Sequence, residues 1–208
     1  AMTLLQDDGQ RQAAVDHLGE PWATVGEQAL PASLAGPAAA TGLAPEARLK
    51  LQISDAQAKL NLLNLLEGSG ISGPWSQAFS RLFAQLELPE SELALMQQAL
   101  LRASAATAEG TVGPAPLMPQ RAQDLRWLGL APATVAALQP HVSVLPGRLP
   151  VNLNTADARV LQALLGAGPA QALLARRQAQ PLSSLAEIAP VPAGGLAGTD
   201  SLSVNSQF

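Results

Sequence analysis

Cysteine and tyrosine are both missing from these 208 residues, and Phe and Trp occur only three times each. Without cysteine there can be no disulfide and no thiolate metal ligand, and the chain suits a reducing or an oxidising compartment. Scarce aromatics argue against a β-sandwich, because strands are enriched in aromatic and β-branched residues. The apolar content is nevertheless 48%, much of it alanine and leucine, which favours small-residue helix packing. The net charge of −4 argues against non-specific attraction to nucleic acid or to anionic membranes. No apolar run reaches membrane-spanning length, and no signal peptide is visible. The two histidines, His17 and His141, are far apart in sequence. No serine has the surroundings of a nucleophile elbow, and Gly166-x-Gly168 lacks the rest of a phosphate loop and its preceding strand. The close acidic pairs, Asp7 with Asp8 and Glu90 with Glu92, fit helix starts or solvated faces. The protein therefore reads as a non-enzyme without a cofactor. Calcium held by Asp side chains and loop carbonyls stays open, although no ligand-spaced loop is present.

The most specific pattern runs from Pro150 to Ile188. Val151 to Asn154 reads as a short extended lead-in. Thr155 is predicted to cap a helix through its hydroxyl, with Asp157 in the first turn against the positive end of the helix dipole. Val160, Leu161, Leu164 and Leu165 then fall on one apolar face. Gly166 and Gly168 allow a tight turn, and Pro169 suits the first turn of a second helix. That helix carries Ala172, Leu173 and Leu174 and closes on Arg176 and Arg177. Ser183 or Ser184 is expected to cap a third, short helix over Leu185 and Ile188.

Elsewhere the signals are simpler. Residues 3 to 15 could continue a helix that begins upstream, since Ala1-Met2 reads as a cloning remnant. Asp16 to Trp22 is a loop with Trp22 as its apolar anchor. Residues 23 to 47 hold at most one irregular strand, near Ala29 to Leu34. Arg48 to Ser54 alternates strictly and reads as a half-buried strand with Leu49, Leu51 and Ile53 facing the core. Helices are predicted from Ile71 through the Trp75–Leu86 periodicity, and from Glu90 over Leu93, Met96, Leu100 and Leu101. Residues 104 to 119 read as a flexible connection, followed by short helices at 120–127 and 132–138. Ser201 to Phe208 alternates like a strand that stops in mid-pattern, so further residues are expected beyond it. An antiparallel pairing of 48–54 with 201–208 would make the helices an insertion into a sheet-bearing domain.

Two resemblances attach to these residues. VNLNTADARVLQALLGAGPAQALLARRQ is similar to the helix-hairpin-helix DNA-binding modules of DNA-uptake proteins. In such a module Gly166 and Gly168 would meet a phosphate, with Arg176 and Arg177 as the basic residues. The lack of lysine between 151 and 191 argues against that role.

The order of features along the whole sequence resembles the minor pseudopilin K family of the type II secretion system. DHLGEPWA (Asp16 to Ala23), ISDAQAKLNLLNL (Ile53 to Leu65), LPVNLNTADARVLQAL and SVNSQF (Ser203 to Phe208) carry the likeness, with Ala58 and Leu63 in place of a glycine and an asparagine. The resemblance implies an α+β fold: a pilin-like N-terminal helix and a small antiparallel sheet, with a large helical insertion containing a helix-hairpin-helix/SAM-like unit. It divides the sequence into a pilin-like part (1–59), the insertion (60–195) and a return strand (196–208). It implies a place at the tip of a periplasmic pseudopilus, helping to initiate assembly. It also implies an inner-membrane anchor helix absent from this sequence, and the I and J minor pseudopilins as partners. Some members bind calcium in the helical region, where this protein has few acidic residues. Asp55, Asn61, Asn152, Asn154 and Thr155 are the structural motif residues on this reading. Leu4, Leu5 and Val15 are the expected partner contacts, because the N-terminal segment is a weak helix on its own.

Overall fold

The computed structural model describes residues 15–23, 27–29, 48–50, 52–109, 115–188 and 201–206. The expected N-terminal helix, with Leu4 and Leu5, lies outside them, and Val15 is half-buried. The protein forms two compact units: Ala1–Ala13 with His17–Ser54, and Ala14–Asp16 with Asp55–Phe208.

In the first unit, β1 (Glu27–Ala29) pairs antiparallel with β2 (Arg48–Lys50). The predicted 48–54 strand is thus shorter than its alternation suggested, and its partner is β1 rather than residues 201–208. Residues 52–55 leave the strand conformation, and Ile53 is half-buried. The rest of the 29–34 prediction, and Leu51, lie outside the described residues. Trp22 is buried, and its indole N–H donates to Glu20 Oε2 at 2.9 Å. That bond satisfies the one polar atom of a large apolar anchor.

The second unit is mainly helical. A 3-10 turn at Ala56–Ala58 leads into β3 (Leu60–Asn61), and a second 3-10 turn at Leu62–Leu65 leads into the hairpin of β4 (Leu66–Glu67) and β5 (Gly70–Ile71). Helix α1 (Gly73–Gln85) starts with Pro74 in its first turn and buries Trp75, Phe79, Leu82 and Phe83 at three- and four-residue spacing. Helix α2 (Glu90–Glu109) buries Leu93, Met96 and Leu100. It extends well past residue 104, where a connection was predicted. Alanine-rich sequence has high helix propensity, Ala103 is buried, and Thr107 Oγ1 donates to the Ala103 carbonyl at 2.8 Å. A 3-10 helix at Ala122–Leu128 ends on Gly129 (φ 89°), and α3 (Pro132–Leu138) follows.

Next come β6 (Val142–Ser143) and β7 (Val151–Asn152), then α4 (Ala158–Leu165), α5 (Ala167–Ala179) and a 3-10 turn at Leu185–Ile188, and finally β8 (Leu202–Ser203). β6 runs parallel to β3, and β8 parallel to β7. Helix α4 packs on both α1 and α5, and α1 also packs on α2. The fold is therefore helical with small sheets. In place of one antiparallel sheet, the described residues form four two-stranded pairs, two antiparallel and two parallel. No helix among the described residues is long and apolar enough to cross a membrane.

Candidate functional site: a buried asparagine network

Six consecutive residues, Val151 to Ala156, are buried, and three of them are polar. Buried amides and hydroxyls are costly unless hydrogen-bonded, so their partners define what this stretch does. Asn152 Oδ1 accepts the Asn154 N–H at 3.0 Å, which closes a local turn. Its Nδ2 donates to Ser206 Oγ at 2.9 Å and to the Asp16 carbonyl at 3.3 Å. Asn154 meets the Leu182 main chain twice: Nδ2 donates to its carbonyl at 3.0 Å and Oδ1 accepts its N–H at 2.9 Å. Nδ2 also reaches the Val204 carbonyl at 3.3 Å.

Asp55 joins the network from the other side of the sequence. Its Oδ1 accepts the Gln57 N–H at 2.7 Å and so caps the 56–58 turn. Its Oδ2 accepts the hydroxyls of Thr155 and Ser206, each at 2.5 Å. Asp16 closes the circuit, accepting the Ser206 N–H on Oδ2 at 2.5 Å, while its own N–H donates to the Val204 carbonyl at 3.3 Å. Asn61 and Asn64 form a second cluster, which binds the loop before β7. Asn61 Nδ2 donates to the Gly147 carbonyl at 2.8 Å and Oδ1 accepts the Leu145 N–H at 3.0 Å. Asn64 holds the Leu149 carbonyl and N–H at 2.8 and 3.0 Å.

The structure corrects the predicted helix start. Asp157, not Thr155, caps α4: its Oδ1 accepts the Val160 N–H at 2.8 Å. A carboxylate is the stronger acceptor at the positive helix end, and the Thr155 hydroxyl is left to donate to Asp55. Only Gly166 takes an unusual backbone conformation (φ 85°, ψ 166°); Gly168 lies inside α5. Asp157 Oδ2 also lies 2.7 Å from His141 Nδ1, which gives that histidine a hydrogen-bonding place.

The two arginines that a DNA-binding role would use are turned to other partners. Arg177 Nη1 donates to the Leu153 and Ala156 carbonyls at 2.8 and 2.6 Å. Burial pushes its guanidinium below the ordinary value, and the Asp157 charge acts in the opposite direction. Arg176 pairs with Glu187 at 2.5 Å. Neither guanidinium lies free beside the hairpin, where a phosphate would approach.

The arrangement is a clasp. Every polar atom of Asp55, Asn152 and Asn154 described above is taken by the protein itself, and the hydroxyls that meet Asp55 have no histidine base beside them. Among the described residues no three His, Asp or Glu side chains come together in a group that could hold a metal ion. Sequence reading missed Asn64, Ser206 and Asp16. Asn64 had a signal, being a polar residue in an otherwise apolar run. Asp16 and Ser206 lay in the segments DHLGEPWA and SVNSQF, but nothing local marked them as partners across 151 and 190 residues.

Comparison with known proteins bears on the same segment. Residues 151–205, which hold Asn152, Asn154 and Thr155, match the family model of the type II secretion system (T2SS), protein K. The fold is similar to that of one subunit in the crystal structure of the GspK-GspI-GspJ complex from the enterotoxigenic Escherichia coli type 2 secretion system. The TM-score is 0.64 at 22% sequence identity, over 99% of this protein and 86% of that subunit. No curated protein matches the sequence significantly.

Proposed function

We propose, from the type II secretion system protein K family that the match over residues 151–205 and the shared fold support, that this protein is a minor pseudopilin. Its partners are then the I and J minor pseudopilins, named in the complex that holds the similar fold. The supporting observation is that likeness over nearly the whole length, together with a buried polar network whose bonds hold structure. On this reading the role is one of assembly and not of catalysis. The full-length protein is anchored in the bacterial inner membrane by an N-terminal helix, with its folded part in the periplasm. It sits at the tip of the pseudopilus, where it starts assembly and serves secretion across the outer membrane. The helices between residues 60 and 195 are the insertion into a pilin-like domain, and α4 and α5 form its helix-hairpin-helix unit.

A secretion assay tests the proposal. Deleting the gene should abolish export of a type II substrate, and the full-length gene should restore it. The same gene carrying Leu4→Asp with Leu5→Asp should not, because those residues are the proposed partner contacts. Undiminished secretion in the deletion strain would overturn the reading, and full rescue by the double variant would overturn the assigned contacts.

The alternative, a helix-hairpin-helix DNA-binding module, is disfavoured by the committed Arg176 and Arg177. Retention on a DNA column at low salt that fades steeply as salt rises would revive it.

A further inference from the structure

Residues 201–206 are held to the helical unit mainly by polar bonds. The Ser203 carbonyl accepts the Leu153 N–H at 2.8 Å. The Val204 carbonyl accepts the Asp16 N–H and the Asn154 amide, each at 3.3 Å. The Ser206 N–H donates to Asp16, and its hydroxyl donates to Asp55 and accepts from Asn152. The apolar hold is small. Leu202 is the one buried side chain of the segment, and Val204 packs half-buried against the core. The pairing with β7 covers two residues, Val151 with Leu202 and Asn152 with Ser203.

Local opening costs what the lost contacts were worth. Lifting 201–206 gives up one buried leucine, a two-residue ladder and these hydrogen bonds. Helix α4 keeps its packing on α1 and α5, which do not need the segment to meet. The segment therefore opens at a lower cost than the helices. Its bonds fall on Ser203, Val204 and Ser206, within four consecutive positions of extended backbone, so they are made and lost together. Two of them hold Asp16, and Ala14–Asp16 belong to the helical unit although His17–Ser54 do not.

We propose that residues 201–206 form a strap that opens and closes as one body while the helices stay folded, and that its closure fastens Asp16 to the lead-in of α4. Opening uncovers the β7 edge, which pairs with β8 alone among the described residues. It also takes the Ser206 hydroxyl from Asp55. Buried polar groups left without partners are costly, which keeps the open form a minor population. The strap is independent of the proposed assembly role.

Native-state amide hydrogen exchange of the whole protein, followed in ¹H–¹⁵N spectra where exchange reports the opening equilibrium, tests it. The Leu153, Asp16 and Ser206 N–H groups each bond across the edge of the strap. In the unmodified protein they should share one protection factor within about threefold, and lie about tenfold or more below the Phe79 and Leu161 amides of α1 and α4. Ser206→Ala removes a hydroxyl and leaves the bonds of the Leu153 and Asp16 N–H groups in place. It should still speed exchange at both by about tenfold, with Phe79 and Leu161 at their parent rates. Asn205→Ala, an exposed control in the same segment, should change none of these rates. The proposal is overturned if the three strap amides exchange at unrelated rates or are as protected as Phe79 and Leu161. It is equally overturned if Ser206→Ala leaves Leu153 and Asp16 unchanged or speeds the helix amides as much.

Discussion

Asn154 commits its amide to main-chain groups in a site closed to solvent. Its two bonds to Leu182 and one to Val204 tie the lead-in of α4 to two segments 28 and 50 residues away. Removing the amide strands the Leu182 N–H and carbonyl, and a buried unpaired group costs about 1–3 kcal/mol. Asn154→Ala should therefore lower stability by about 2–3 kcal/mol, read from urea midpoints. Asn205→Ala, an exposed asparagine near the same network, should change it by less than about 0.5 kcal/mol. Equal effects at the two positions would contradict the role assigned to the paired amide of Asn154.

Two helical elements end in ways that can be tuned. At the C-terminus of α1 the Leu88 N–H donates to the Phe83 carbonyl at 2.9 Å and the Glu87 N–H to the Ala84 carbonyl at 3.2 Å. This is a Schellman closure, which places Glu87 in the left-handed region at φ 55°. A residue with a Cβ is strained there, and glycine is not. Glu87→Gly should raise stability by about 1 kcal/mol, measurable as a higher urea midpoint. The 183–188 turn depends instead on charge. Hydrogen bonds from the Ser183 hydroxyl and N–H, aided by Arg176, hold the Glu187 carboxyl at about 2 against its ordinary 4.5. A depressed carboxyl stabilises the fold above its unfolded value and loses that contribution as pH falls through the folded one. Thermal melts of the parent and Glu187→Gln should therefore differ above pH 4.5 and converge as pH falls to about 2. A difference that stays constant across that range would contradict the assignment.

These elements also show what a sequence can and cannot reveal. The α1 and α2 stripes were legible because Trp75, Phe79, Leu82 and Phe83, and then Leu93, Met96 and Leu100, repeat at helical spacing, and burial follows that spacing. The far end of α2 was misread because an Ala/Ser/Thr run has no periodic signal to set it apart from a linker. Alternation over 48–54 overstated a strand that pairs for three residues. The site was half visible. Asp55, Asn61, Asn152, Asn154 and Thr155 stood out as motif residues, but the pairing of Thr155 with Asp55 spans 100 positions. Local patterns carry no information at that range, so the capping role assigned to Thr155 fell to Asp157.

For the whole molecule, one idea accounts for most of these features. Among the described residues, short paired strands and helices are held together by asparagine and aspartate side groups bonded to distant main-chain atoms. The proposed assembly role places function in the contacts that such a body makes. The arginines of the α4–α5 hairpin brace the 153–156 turn and the 183–188 turn. The most direct test is size-exclusion chromatography with light scattering after co-expression with the I and J minor pseudopilins of the same secretion system. The account predicts one peak that contains all three proteins and persists on dilution. Elution of this protein by itself, with I and J in a separate peak, would contradict it.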